Sequence, residues 1–153
     1  LLEKINRKGV LQARITLHVG RGTFRPVESA DVRDHMMLPE KYFVPDDAAK
    51  KYFSAKSCGK RVFAVGTTSI RCLESAIEKG ALKSGAGETR LFIHPGYEFK
   101  AVDALLTNFH QPHSTPLLLA SAFAGGDLLM KAYAEAVKRG YRLFSYGDAM
   151  LIL

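Results

Sequence analysis

RVFAVGTTSIRCLESAIEKG, residues 61–80, contains the pattern that decides the fold class. Residues 61–65 are predominantly apolar and β-prone, so they predict a strand, and this strand runs directly into Gly66 and three hydroxyl residues. The apolar residues that follow share one helical face: Ile70, Leu73, Ala76 and Ile77. A helix is therefore predicted after the strand, ending at Gly80.

The same alternation extends over the rest of the chain. Further strands are predicted at residues 11–19, 41–44, 90–93, 104–109 and 141–144. Further helices are predicted at residues 1–9, 45–59, 116–124 and 127–140, with Asp127 as a cap. Residues 80–87 hold three glycines and predict a flexible loop. Strands that alternate with helices indicate an α/β domain whose helices cover a sheet or a barrel.

Charge is high and unevenly distributed along the 153 residues. The formal net charge is +7, and hydrophobic residues make up 47% of the chain, which is ordinary for a globular domain. Residues 1–25 hold six basic residues and one acidic residue, a net charge of +5. Residues 50–61 hold five basic residues and no acid, again +5. These two basic stretches favour an anionic partner such as nucleic acid; the alternative is a solvated basic surface.

Several classes of protein are not favoured by the sequence. Cys58 and Cys72 form no CxxC pair and predict two reduced thiols, and no metal site is expected. The longest apolar run, 117–124, is too short to span a bilayer, and the chain has no signal peptide. We therefore expect a cytoplasmic protein without a membrane partner. Because the chain opens at Leu1 inside a predicted helix, we also expect an N-terminal portion to be missing.

Three polar loops follow predicted strands, at 20–26, 66–69 and 110–115. Ligands of α/β domains bind at such carboxyl ends of strands. Arg71 lies in the first turn after the second loop, which predicts a site for a carboxylate or phosphate; alternatively, Thr67, Thr68 or Ser69 merely caps the helix. The first loop matches neither a Walker nor a Rossmann motif, so a tight turn is its alternative reading.

Three residues are candidates for proton transfer. His18 lies on the polar face of the strand predicted at 11–19, from which it would project into a polar cavity. His110 ends a predicted strand, with Asn108 directed to the same side, and Asp148 follows the last predicted strand. A hydrogen-bonded structural histidine and a turn aspartate are the alternatives.

Six segments together carry a resemblance to a known family. They are the run from Thr16 to Pro26, VGTTSIR (65–71), IHPGY (93–97), LTNFH (106–110) with Ser114 and Thr115, SAFAG (121–125) and FSYGDAM (144–150). In this order and spacing they resemble the S-adenosylmethionine:tRNA ribosyltransferase-isomerases of queuosine biosynthesis. The chain departs from the family pattern at 111–116 and at Leu38, where the family usually has histidine.

The resemblance implies a reaction. Members of this family transfer and isomerise the ribosyl part of S-adenosylmethionine onto 7-aminomethyl-7-deazaguanine in the tRNA anticodon. Epoxyqueuosine-tRNA forms, adenine and methionine are released, and S-adenosylmethionine is a consumed substrate. Residues 1–153 would form the C-terminal part of an α/β-barrel-like domain with helices packed around the strands, and the smaller β-barrel domain would be largely absent.

The resemblance also implies roles for named residues. His18, His110 and Asp148 are the catalytic candidates, and Arg71, Thr67 and Thr68 would bind the methionine carboxylate or a tRNA phosphate. Arg25 would position tRNA, and Phe109 or Tyr146 would stack on a base, unless they belong to the core. The remaining substrate-binding candidates are Gly20, Gly22, Thr23, Asn108 and Thr115.

Two other functions remain open at this point. A basic α/β module could hold tRNA or a nucleotide without catalysing a reaction. A generic nucleotide-utilising α/β enzyme would explain the charge and the loops, but it explains the order of the motifs poorly. We expect a monomer.

Overall fold

The computed structural model describes residues 1–20, 23, 26–27, 29 and 31–153. Five α-helices lie in this part of the chain: α1 (Leu2–Arg7), α2 (Asp46–Ser57), α3 (Thr67–Ala76), α4 (Thr115–Ala124) and α5 (Gly126–Lys138). A short 3-10 helix lies at Val32–Asp34. The strands are β1 (Thr16–Leu17), β2 (Glu40–Val44), β3 (Phe63–Val65), β4 (Ile77–Glu78), β5 (Ala81–Leu82), β6 (Gly85–Thr89), β7 (Ala104–Asn108) and β8 (Ala149–Ile152). The α/β class predicted from the sequence is confirmed.

The first sheet is antiparallel, with the strand order β1–β2–β6. The strand predicted at 41–44 is confirmed as β2. Gly87 of β6 lies against Tyr42 of β2 so closely that a β-carbon at this position would be 2.4 Å from the ring. A residue without a side chain is therefore needed where the two strands face each other.

Three predictions around this sheet are wrong or too long. The strand predicted at 11–19 pairs with β2 only at Thr16 and Leu17. Residues 80–87, predicted as a flexible loop, form β5 and the first half of β6, whereas residues 90–93 form no strand. The glycines in β6 indicate a loop locally, but pairing with β2 and the bulk of Tyr42 make them strand residues.

Helix α3 ends at Ala76 instead of at Gly80. Ile77–Glu78 pairs with Ala81–Leu82, and the two residues between them have positive φ angles, 50° at Lys79 and 81° at Gly80. A two-residue turn with φ > 0 at both positions has the twist that a tight hairpin needs. The predicted stop at glycine therefore marks a hairpin turn, not a helix end.

The second sheet has the order β3–β7–β8, with β3 parallel and β8 antiparallel to β7. The strand predicted at 104–109 is confirmed as β7, but the one predicted at 141–144 is wrong, because the apolar tail forms β8. Residues 142–148 fold into a compact turn, in which the Asp148 N–H donates to the Arg142 carbonyl at 2.8 Å. A β-carbon at Gly147 would lie 2.2 Å from that oxygen, so this turn needs glycine.

One hydrophobic core joins the second sheet to the helices. Ala64, Leu105 and Ile152 stand side by side on one face of the sheet, and they are buried in the same cluster as Ile70 of α3. Helix α5 begins at Gly126, so Asp127 lies in its first turn and is not its cap. None of the described helices is by itself long and apolar enough to cross a membrane; α4 and α5 reach that length only together, across a 112° bend.

Both cysteines are free, as predicted. Cys58 is exposed, whereas Cys72 is buried in α3, and its burial raises the pKa of its thiol to about 11. The Cys72 thiol donates to the Thr16 carbonyl, with the sulfur 3.6 Å from the oxygen. Cys72 is therefore a protonated core residue.

Asp103 connects α2 to the second sheet. Its carboxylate accepts hydrogen bonds from Lys56 Nζ at 2.7 and 2.8 Å and from the Val62 N–H at 2.7 Å. Partial burial raises the pKa of the Asp103 carboxyl, but these hydrogen bonds outweigh it, so the pKa lies below its ordinary value. The charged form is therefore favoured by folding.

We predict that Asp103→Asn lowers the free energy of unfolding by about 1 kcal/mol at pH 7. Because the folded-state pKa is below the unfolded value, the contribution is present above the unfolded pKa and is lost as the pH falls through the folded one. Urea unfolding at neutral and at acidic pH checks this. Glu98→Gln, which removes an exposed carboxylate, is the control. A variant difference that persists unchanged in acid would contradict the prediction.

Candidate functional site

The carboxyl ends of the two parallel strands lie at the same edge of the second sheet. β3 ends at Val65 and β7 at Asn108, and the Gly66 N–H donates to the Leu106 carbonyl at 2.8 Å. Helix α3 starts directly after β3, and α4 starts seven residues after β7. Both helix N-termini line one pocket. Helix α3 contributes Thr67 and Thr68 to its lining, and α4 contributes Thr115 and Pro116. This edge is where α/β sheets bind ligands.

The N-terminus of α3 is open. Its N-cap is Gly66, with φ = 88°, and no side chain caps it. Ser69 Oγ donates instead to the Val65 carbonyl at 2.7 Å. The capping alternative for the three hydroxyl residues is therefore wrong, and the N–H groups of Thr67 and Thr68 have no acceptor within the helix. In α4, by contrast, Ser114 caps the helix by accepting from the Leu117 N–H.

The pocket is mostly apolar, with hydroxyl groups and one guanidinium. Its empty volume is about 340 Å³, including the part open to solvent. It is lined by Leu17, Val19, Thr23, Met37, Thr67, Thr68, Arg71, Leu91, Phe92, Ile93, Thr115, Pro116 and Leu119. Five of the substrate-binding residues predicted from the sequence therefore meet here, although they are up to 92 positions apart along the chain.

Arg71 is the only charged residue among the described residues of this lining, and only 5% of it is exposed. Its Nε donates to the Leu91 carbonyl at 3.0 Å. Its Nη1 donates to Thr23 Oγ1 at 3.0 Å and to the carboxylate of Glu40. Its Nη2 is buried and has no hydrogen-bond acceptor among the described residues. Of the guanidinium nitrogens, Nη2 alone is therefore without an acceptor from the described residues.

Glu40 holds this arrangement together and was not identified from the sequence. It is 2% exposed, and its Oε1 accepts from the Gly20 N–H and from Thr23 Oγ1, both at 2.7 Å, while its Oε2 pairs with Arg71. Nothing near Glu40 in the sequence marks it, because its partners lie 17 to 31 positions away. Gly20 is therefore in contact with the site through Glu40.

Gly22 and Arg25 lie outside the described residues. Thr115 also contacts the first loop, since its hydroxyl donates to the Thr23 carbonyl at 3.1 Å.

His18 is exposed, whereas its neighbours Leu17 and Val19 line the pocket. In the described part of the chain, no group of three or more His, Cys, Asp or Glu is arranged to hold a metal ion.

The other candidates form a second group where β7 meets β8. His110 Nε2 and the Thr107 hydroxyl share a hydrogen bond of 2.8 Å, and burial lowers the pKa of His110 to about 4. The His110 N–H donates to Tyr133 Oη at 2.7 Å. Phe109 is buried, with its ring edge-on to Tyr133 at 5.2 Å, so it belongs to the core. His110 is therefore neutral at pH 7.

Asp148 and Tyr146 lie on the surface beside this second group. Asn108 Nδ2 donates to the Asp148 carbonyl at 3.4 Å. The Asp148 carboxylate accepts from Arg142, and this hydrogen bond holds the pKa of Asp148 below its usual range. Tyr146 is 98% exposed, so its ring can stack on another molecule.

Comparisons with known proteins agree with this arrangement. A family model described as queuosine biosynthesis protein matches residues 1–152. The chain is 56% identical over 154 residues to an S-adenosylmethionine:tRNA ribosyltransferase-isomerase of Symbiobacterium thermophilum, covering 100% of this chain and 45% of the relative. It is 52% identical over 152 residues to a protein of the same name from Aromatoleum aromaticum, covering 99% of this chain and 44% of the relative.

A solved structure is similar as well. The crystal structure of S-adenosylmethionine tRNA ribosyltransferase from Thermotoga maritima superposes with a TM-score of 0.82 and 47% identity, covering 99% of this chain and 48% of that one. The chain thus spans about half the length of the relatives it matches. Because the family model covers almost every residue, the chain belongs to the family of queuosine biosynthesis proteins.

Proposed function

We propose that this chain is the C-terminal part of an enzyme that moves the ribosyl group of S-adenosylmethionine onto tRNA. The group would be transferred and isomerised onto the amine of 7-aminomethyl-7-deazaguanine in the anticodon, giving epoxyqueuosine-tRNA, adenine and methionine. The observation that carries the proposal is the pocket at the carboxyl edge of β3 and β7, which gathers Thr23, Thr67, Thr68, Arg71 and Thr115. S-adenosylmethionine and tRNA both appear in the names of the relatives.

The reaction requires a base, because a proton next to the sulfonium must be removed. Asp148 and His110 are both in the unprotonated form at neutral pH, because the pKa of each is lowered, in Asp148 by Arg142 and in His110 by burial; the lowered pKa also makes each a weaker base. His18 is the third candidate from the sequence; its side chain is exposed, so the prediction that it projects into a polar cavity is not met in this chain.

Basic residues on α2 and after it support contact with the tRNA backbone. In the stretch at 50–61, Lys51 and Lys56 pair with acids, whereas Lys50, Lys60 and Arg61 are exposed. Exposed cations of this kind bind phosphates and are released by salt. The exposed ring of Tyr146 would stack on an unpaired base.

We also propose that the protein is cytoplasmic and monomeric.

The first experiment is a turnover assay with this chain and, separately, with a full-length member of the family. Each is incubated with S-adenosylmethionine and tRNA that carries 7-aminomethyl-7-deazaguanine, and adenine release and epoxyqueuosine in digested tRNA are measured. We expect product with the full-length protein. Product with this chain as well would locate the whole catalytic apparatus here. If neither protein forms product but both still bind tRNA, the alternative is favoured: a non-catalytic tRNA- or nucleotide-binding α/β module.

Substitution of the proton-transfer candidates in the full-length protein separates their roles. We expect His18→Gln, Asp148→Asn or His110→Gln to lower kcat by roughly 10²- to 10⁴-fold where the residue acts in proton transfer, while tRNA affinity is retained. His94→Gln is the control, since His94 contacts the Pro95 carbonyl and does not line the pocket. A variant with unchanged turnover removes its residue from the mechanism.

The tRNA affinity of this chain should fall steeply with salt. Replacing Lys50 and Lys60 with alanine should reduce the slope of log K against log salt by roughly 2, because each lost phosphate contact lowers it by about 1. The matched control is the Lys131→Ala/Lys138→Ala pair on α5, also exposed. Equal slopes for both double variants would show that the stretch at 50–61 does not touch the backbone.

A further inference from the structure

Two independent features of the pocket indicate a missing anionic ligand. The open N-terminus of α3 directs the N–H groups of Thr67 and Thr68 away from their own helix, with no side-chain cap on Gly66. In addition, the buried Nη2 of Arg71, a residue only 5% exposed, has no acceptor in the described part of the protein. A buried donor without a partner is costly, and a ligand oxygen would remove this cost.

The other donors of Arg71 are already occupied. Nε is bound to the Leu91 carbonyl, and Nη1 to Thr23 and to Glu40. Because a guanidinium is planar, fixing Nε and Nη1 also fixes the direction of Nη2. Glu40 is fixed in turn by the Gly20 N–H and Thr23 Oγ1. It therefore sets the orientation of the free arm without lining the pocket.

We propose that this pocket binds the methionine carboxylate of S-adenosylmethionine through Arg71 Nη2 and the N–H groups of Thr67 and Thr68, with Glu40 as the positioning residue. This inference rests on the function proposed above and resolves the choice between a carboxylate and a tRNA phosphate. Nothing in the sequence pattern assigned a role to Glu40.

The charge of the pocket matches a monoanion. Arg71 and Glu40 are both almost fully buried and cancel each other's charge. The N-termini of α3 and α4 each contribute about half a positive charge, so the described residues of the pocket sum to about +1. A carboxylate carries one negative charge, which this sum balances.

The walls of the pocket distinguish an amino acid from a nucleic-acid backbone. Met37, Ile93 and Leu119 are 4%, 1% and 2% exposed, and they offer apolar surface to methylene groups and to sulfur. Backbone phosphates of nucleic acids are commonly bound by cations at the surface, whereas Arg71 is almost fully buried. A ligand that carries an apolar chain next to its carboxylate matches this lining better than a phosphodiester does.

The test compares the affinity of this chain for S-adenosylmethionine and for its decarboxylated analogue by calorimetry. We expect the carboxylate to strengthen binding by about tenfold or more, since hydrogen bonds to charged groups are worth that much. Thr67→Pro, which deletes one N–H at a helix position that tolerates proline, should reduce this ratio severalfold. Thr67→Ala, which keeps the N–H, is the matched control and should preserve it.

The variant Glu40→Gln tests the positioning role of Glu40 in the same affinity comparison. It should reduce the same ratio, because a neutral amide holds the Arg71 guanidinium less firmly; the affinity for the decarboxylated analogue is the internal reference. A loss of fold would weaken both ligands together and leave the ratio intact, so the ratio reports positioning and not stability. Methionine should displace S-adenosylmethionine, whereas inorganic phosphate should not.

Other outcomes overturn the inference. If the unaltered chain binds S-adenosylmethionine and its decarboxylated analogue with equal affinity, the carboxylate site is excluded. The proposed function would remain, since turnover is measured separately. Displacement by phosphate but not by methionine would assign the pocket to a tRNA phosphate. If neither ligand binds, this chain does not contain the site; if the full-length protein also shows no turnover, the proposed function fails as well.

Discussion

The structure around the pocket depends on an ion pair between Arg71 of α3 and Glu40 of β2, almost fully removed from water. Burying two charges is costly, and removing one partner of such a pair costs about 3–5 kcal/mol. The cost is offset because both groups are further hydrogen-bonded, Arg71 to Leu91 and Glu40 to the loop at Gly20 and Thr23. One interaction thus joins a sheet, a helix and a loop.

The second constraint is the parallel pairing of β3 with β7. Parallel strands end at the same edge, so the helices that follow them start there. This brings the N-termini of α3 and α4 to one pocket, next to the guanidinium that Glu40 orients. Among the described residues, the fold therefore forms a positively polarised, largely apolar pocket from backbone geometry and one buried cation.

The proton-transfer candidates and the pocket occupy different parts of the molecule. Asp148 and His110 lie around the end of β7 and the start of β8, while Arg71 lies on α3. Their pKa values are lowered for different reasons, an ion pair for Asp148 and burial for His110. The proposed roles in ligand binding and in proton transfer therefore fall on separate regions of this chain.

The sequence by itself determined the α/β class, the five α-helices and the sheet edge at which the polar loops meet, because these follow from local periodicity and from polar residues after apolar strands. It misjudged β6 and β8, whose residues become strands only through partners elsewhere: Gly87 against Tyr42, and Ile152 beside Leu105. It left open whether Thr67 and Thr68 cap α3 or bind a ligand, and it missed Glu40. The tertiary structure decided these points, since a carboxylate, a helix terminus or a glycine acquires its role from neighbours distant in the chain.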